Sequence, residues 1–127
     1  MKMLSALIVE DDEDFVAIFR HLLKPWPFRI VRARSAEEAV ALSSSATFDL
    51  YLIDLQLSDG DSSSVFQQLR TRGADIARRC IVVTSFPILS RAFSDFPVVD
   101  KTSLKDLGAH LLRILGQPDI VPERAAS

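Results

Sequence analysis

Five short apolar runs constrain this chain more than any other feature. They are Ala6-Leu7-Ile8-Val9, Phe28-Arg29-Ile30-Val31-Arg32-Ala33, Leu50-Tyr51-Leu52-Ile53, Ile81-Val82-Val83 and Pro97-Val98-Val99, with longer segments between them. Four are bulky and scarcely alternate, as strands covered on both faces do; the run at 28–33 alternates and reads as an edge strand. The segments between them carry helical spacing, so the pattern is that of βα units on a parallel sheet.

In the first such segment Phe15, Ile18, Phe19, Leu22 and Leu23 make one helical stripe, which Pro25-Trp26-Pro27 ends. Ser35, with Glu38 three residues on, predicts a capped helix to about Ser45 whose apolar face of Ala36, Ala39 and Val40 is small. Asp61 or one of Ser62, Ser63 and Ser64 is expected to cap a third helix with Val65, Phe66 and Leu69 inward and Gly73 as its stop. Leu104, Leu107, Leu111, Leu112 and Leu115 form the last stripe, expected to begin at Thr102 or Ser103 and to stop at Gly116. The stretch 86–96 contains Pro87 and fits only a shortened or irregular fourth helix. One domain over 1–116 and a flexible tail over 117–127 follow from this reading.

Composition excludes several classes of function. Fifteen Lys and Arg against 17 Asp and Glu leave a net charge of −2, without the basic footprint of direct nucleic-acid binding. The single cysteine, Cys80, allows no internal disulfide and no Cys/His zinc cluster. No run approaches the ~18 apolar residues of a membrane span. The apolar start meets Glu10-Asp11-Asp12-Glu13-Asp14 where a secretory signal would need small residues, so a cytoplasmic location without membrane insertion is expected.

The residues that end the runs carry the chemistry. Glu10-Asp11, Asp54, Thr84 and Asp100-Lys101 each follow or close an apolar run, and the crevice of an open parallel sheet lies outside the carboxyl ends of its strands. The three carboxylates of Glu10, Asp11 and Asp54, the Thr84 hydroxyl and the Lys101 ammonium are thereby expected to share one cleft. Carboxylates a few Å apart repel by roughly 4 kcal/mol per pair at an effective dielectric of 20, which a raised pKa or a bound cation must relieve. A divalent cation is the simpler solution, and an all-oxygen site with open positions suits Mg²⁺ and phosphoryl chemistry. Asp54 is then a candidate nucleophile that forms an acyl phosphate.

These motifs resemble the receiver domains of bacterial two-component response regulators. The resemblance rests on Ala6-Leu7-Ile8-Val9-Glu10-Asp11-Asp12, the segment from Asp49 through Ile53-Asp54 to Asp59-Gly60, Ile81-Val82-Val83-Thr84-Ser85 and Val98-Val99-Asp100-Lys101, and it covers about residues 3 to 116. It implies a flavodoxin-like (βα)5 α/β fold with a five-stranded parallel sheet in the order 2-1-3-4-5. It implies Asp54 as the phospho-acceptor, Asp11 and Asp54 as direct Mg²⁺ ligands, Glu10 as a ligand through water, and the Gln56 carbonyl as a further ligand. Thr84 would bond a phosphoryl oxygen and Lys101 would pair with the phosphate. A sensor histidine kinase or histidine phosphotransfer protein would supply the phosphoryl group, and an unknown downstream protein would receive the signal.

The departures from the family pattern are specific. Thr84 lies 30 residues after Asp54, as in the family, but Lys101 follows only 17 residues later, which is why the fourth helix is expected to be short. Val98 stands where receivers carry the aromatic residue of the switch that runs from Thr84 and Ser85, leaving Phe96 or Phe93 for that part. Ser58 and Thr102 stand where proline is frequent. The reading is of a stand-alone receiver, with little chain after Gly116; the alternative is a receiver-like adaptor that works without phosphorylation. A phosphatase of the haloacid dehalogenase type would want an acid at Gln56, and no phosphate-binding glycine motif is present. His21 and His110 lie off their helical stripes and read as solvated, Cys80 as inert and Trp26 as a packed plug.

Overall fold

Strands buried on both faces need a helical layer on each side, and the alternation of side chains along a strand decides which layer each residue meets. The computed structural model describes residues 3–86, 96–104 and 106–116. The chain runs β1 (Leu4–Val9), α1 (Glu13–Leu23), β2 (Phe28–Ala33), α2 (Ala36–Ser45), β3 (Leu50–Asp54), β4 (Gln56–Leu57), β5 (Gly60–Asp61), α3 (Ser63–Thr71), α4 (Ala74–Ala77), β6 (Cys80–Thr84), β7 (Val98–Asp100) and α5 (Leu107–Leu115). The parallel sheet has the order β2-β1-β3-β6-β7, so β2 is an edge strand as its alternation predicts. In order of the five parallel strands this is 2-1-3-4-5.

Leu7, Val9, Tyr51, Ile53 and Val82 point to one side, against Ala36, Ala39, Val65, Phe66, Leu69 and Ile76 of α2, α3 and α4. Their neighbours Ala6, Ile8, Leu50, Leu52, Ile81, Val83 and Val99 point to the other, against Phe19 and Leu23 of α1 and Leu107, Leu111 and Leu115 of α5. At roughly 1.5–3 kcal/mol for each large side chain fully buried, these two layers dominate the fold's stability. Trp26 closes the second layer and is 8% exposed, as a packed plug should be.

The helices depart from the sequence reading in places that have local causes. In α1 the stripe is turned so that Val16 is buried while Ile18 is 41% exposed. Ser35 caps α2 by accepting from Glu38 N at 3.1 Å, as predicted. Ser62 precedes α3 but does not cap it with its side chain, because its hydroxyl donates to the Asp54 carbonyl instead. Gly73, at φ +103°, ends α3 and opens the four-residue α4, which the sequence reading did not separate. The last helix begins at Leu107 and not after Thr102 or Ser103. Asp100 accepts from Thr102 N and Oγ1 through its side chain and from Ser103 N and Leu104 N through its carbonyl, holding a turn in which Leu104 takes φ +52°. Leu112, counted in that stripe, is 55% exposed. The hairpin β4–β5 was also not foreseen. The shortened fourth helix expected within 86–96 falls on 87–95, and the tail on 117–127; both lie outside the described residues.

The C-terminal end of α2 is held from α3. Arg72 donates to the carbonyls of Ser43 and Ala46 and to Thr47 Oγ1, supplying a cation where helix carbonyls are left over. Arg72→Ala is expected to cost about 1–2 kcal/mol, read as a lower urea midpoint with an unchanged m-value. An unchanged midpoint would show that the cap is redundant.

Candidate functional site

The pleat that sorts the core also aims the site. Glu10 follows β1, Asp54 ends β3 and Lys101 follows β7, and they continue the alternation of Ile8, Leu52 and Val99 toward the α1 and α5 side. The ladder carries on just far enough to fix them: Glu10 N donates to Ala33 O at 3.0 Å, Leu55 N to Val83 O at 3.0 Å, and Lys101 N to Thr84 O at 2.8 Å. Three residues remote in sequence thus share the carboxyl end of the sheet, as the sequence reading requires.

Lys101 Nζ lies 2.7 Å from Glu10 Oε1 and 2.9 Å from Asp54 Oδ2, and 4.2 Å from the centre of the Phe15 ring. Glu10 is wholly buried, Asp54 is 4% exposed and Lys101 is 8% exposed. Burial lowers the affinity of Lys101 for its proton, but its bonds to Glu10 and Asp54 outweigh that and hold the ammonium above its ordinary range. One buried ammonium faces two buried carboxyls, which leaves a negative charge in excess when both are ionised. Burial first, and then the neighbouring Asp54, push the Glu10 carboxyl up to about 8.

Asp11 stands exposed at the rim, and one oxygen each from Glu10, Asp11 and Asp54 lie within 4.8 Å of one another. These residues fit a divalent cation. The oxygens are hard donors, and Glu10 Oε1 is buried in an ion-pair contact without an aligned hydrogen bond. The strained protonation of Glu10 is what a bound cation would relieve.

The other residues singled out by sequence lie around this centre. Gln56 is exposed, and its backbone N donates to Asp54 Oδ1 at 3.1 Å, fixing the carboxyl plane. Thr84 is buried at the end of β6, and its Oγ1 accepts from Phe86 N at 3.0 Å. Ser85 is exposed beside it. Val98 is half-buried at the start of β7 and packs on the α2–α3 side. Phe96 is buried, its ring 4.9 Å from that of Phe66 and under the Arg70 guanidinium at 5.0 Å, so these two residues face the core and not the acidic cluster. Phe93 lies outside the described residues.

Three positioning contacts escaped the sequence reading. Ser62 donates to the Asp54 carbonyl, tying the loop after β3 back to the strand end. Asp59 accepts from Ala36 N at 3.1 Å and Glu37 N at 3.4 Å, joining the same loop to the start of α2. Arg32 donates from Nε to the Glu10 carbonyl at 3.0 Å and from Nη1 to Glu13 Oε1 at 2.7 Å. Asp12 caps α1 by accepting from Asp14 N at 2.8 Å.

Comparison with known proteins places this arrangement. The model of the response regulator receiver domain family matches residues 6–92. The photosynthetic apparatus regulatory protein RegA of Cereibacter sphaeroides is 30% identical over 88 residues, 69% of this chain and 47% of that protein. The alginate biosynthesis transcriptional regulatory protein AlgB of Pseudomonas aeruginosa is 29% identical over 86 residues, 68% of this chain and 19% of that protein. The chain therefore spans from about a fifth to about half the length of these curated relatives. The CheY-like response regulator receiver domain from Methylobacillus flagellatus superposes with a TM-score of 0.67 at 26% identity, over 89% of this chain and 99% of that one. The response regulator TrrA from Thermotoga maritima, in complex with Mg²⁺-BeF, gives 0.73 at 20% identity over 88% and 99%, a likeness of fold. No helix among the described residues is long and apolar enough to cross a membrane.

Proposed function

The chain belongs to the response regulator receiver domain family, and from that premise we propose that it accepts a phosphoryl group on Asp54 and signals through changed protein contacts. The observation that carries this reading is the closed triangle of Glu10, Asp54 and Lys101 at the carboxyl ends of the strands, with Asp11 at its rim. The donor is a phosphohistidine of a sensor histidine kinase or phosphotransfer protein, and the receiver of the signal is a further protein.

Asp54 Oδ attacks phosphorus, the bond from phosphorus to the donor's imidazole nitrogen breaks, and its electron pair leaves with that nitrogen, which takes up a proton. The Gln56 amide on Oδ1 holds the carboxyl plane while the attack proceeds. Lys101 moves from bridging two carboxylates to pairing with the phosphoryl group, and the Thr84 hydroxyl turns from its turn contact to donate to a phosphoryl oxygen. The carboxylates of Glu10, Asp11 and Asp54 with the Gln56 carbonyl would hold Mg²⁺, which when bound neutralises charge on the phosphoryl oxygens. Most of the catalysis is therefore positioning and charge balance.

The test is the intact mass after incubation with a small-molecule phosphodonor. A single phosphoryl increment is expected with Mg²⁺ and none with a chelator in its place. Should a control receiver be modified under the same conditions while this chain is not, the adaptor reading replaces this one.

A further inference from the structure

Among the described residues, Arg32 is a largely buried cation near the site that the proposed chemistry does not use. It is placed by β2, in register with Ile8 of β1, so its side chain lies toward α1. The side chain is about nine-tenths buried, whereas its ionic partner Glu13 is 66% exposed. Nε donates to the Glu10 carbonyl and Nη1 to the Glu13 carboxylate, while Nη2 is buried without a hydrogen-bond partner among the described residues.

This is a poor arrangement for stability alone. A guanidinium has been taken out of water to meet a carboxylate that is still largely in it, and one nitrogen is left unsatisfied. It is a good arrangement for fixing a turn. The planar fork grips the chain on both sides of Asp11 and Asp12: at the peptide that leaves Glu10, and at the first residue of α1. Glu10 N is already bonded to Ala33 O, so with Arg32 on its carbonyl the residue is held from β2 at both ends. The peptide plane between Glu10 and Asp11 is then set, and with it the direction in which each carboxyl leaves the backbone.

We propose that Arg32 is a positioning residue that orients the Glu10–Asp11 turn and thereby sets the affinity of the acidic site for a divalent cation. The proposal rests on the metal-site reading above. It makes a prediction of opposite sign to simple electrostatics. Removing a positive charge beside a cation site tightens binding by Coulomb's law, whereas releasing the turn weakens it.

The experiment is a Mg²⁺ titration of the full chain followed by amide ¹H–¹⁵N shifts, with thermal unfolding measured on the same samples. Arg32→Ala is expected to weaken Mg²⁺ binding by about tenfold or more, the range found when residues supporting metal ligands are removed. Arg32→Lys keeps the charge but cannot make both bonds, and is expected to fall between the two. Arg34→Ala removes a neighbouring charge that reaches Glu13 only at 3.5 Å, and is expected to bind Mg²⁺ as well as the wild type or better. Unchanged or tighter binding in Arg32→Ala overturns the proposal, whatever its melting temperature, and if that variant does not fold, wild-type affinity in Arg32→Lys overturns it. A wild type that shows no saturable Mg²⁺ shifts overturns the metal-site reading itself, which is a different result from wild-type binding that Arg32 does not influence.

Discussion

Asp54→Asn is expected to abolish phosphoryl uptake and, in the same molecule, to make the metal-free domain more stable at pH 8. The first effect is complete because an amide offers no anionic oxygen to attack phosphorus. The second follows from the charge count at the site. With Asp54 ionised, Lys101 faces two buried carboxyls; with Asn at 54 it faces Glu10 alone, and the pair is balanced. Asp54 is among the causes that hold the Glu10 carboxyl high, through both its hydrogen bond and its charge, so its removal lets Glu10 ionise more easily beside Lys101. The Gln56 amide keeps an oxygen to bond, so the loop after β3 stays in place. Intact mass with a phosphodonor should show no increment in the variant, and its urea midpoint without metal at pH 8 should exceed that of the wild type by about 1 kcal/mol in free energy. A variant that loses uptake but is destabilised at pH 8 would mean that the Lys101–Asp54 bond matters more than the crowding of carboxyls. Stability given up for function is a common condition of functional sites.

The parts of this site that were legible in the sequence are those whose cause is local. Four of the five parallel strands are apolar on both faces, so the first charged or hydroxyl residue after such a run marks its end; Glu10, Asp54 and Thr84 follow by that rule, and Lys101 stands one residue beyond the Asp100 that it marks. The rest depends on partners remote in sequence. Arg32 shares the α1-facing side of an edge strand with Phe28 and Ile30, and nothing in its spacing says that the fold brings the Glu10 carbonyl to it. Asp59 reads as a turn residue beside Gly60, and nothing in its neighbourhood says that it caps α2. Asp61 and three serines precede the apolar stripe of α3 and any of them could cap it; at Ser62, which precedes the helix, the Asp54 carbonyl competes for the hydroxyl and wins. The start of α5 was misplaced for the same kind of reason: Thr102 and Ser103 are good cap residues, and Asp100 draws them into its own turn. The residues expected for a switch carry no predicted contacts; Phe96 is packed on Phe66, a neighbour that no spacing rule names.

The metal-free domain should lose stability as the pH rises from about 4.5 to about 8, and a divalent cation should restore it. Glu10 has its ordinary pKa of 4.5 in the unfolded chain and about 8 in the folded one. Between those values the folded state holds a proton that the unfolded state has released, so the slope of unfolding free energy against pH is negative. Each unit of difference is worth ~1.4 kcal/mol, which puts the total on the order of several kcal/mol, shared with the groups that contact Glu10. Lys101 does not enter this window. Its pKa is raised from 10.5, so its contribution is present below that pH and is lost only as the pH climbs past the folded value. A cation that binds ionised carboxylates stabilises the folded state by mass action, and does so more at pH 8, where it no longer competes with the Glu10 proton, than at pH 5. Urea unfolding at pH 5, 6.5 and 8, with a chelator and with Mg²⁺, should therefore give midpoints that fall with pH in the first series and much less in the second. Glu10→Gln should flatten the metal-free series, since no group is left to ionise there. A metal-free wild type whose stability rises toward pH 8 would place the proton elsewhere, and with it the reason this cluster needs a cation.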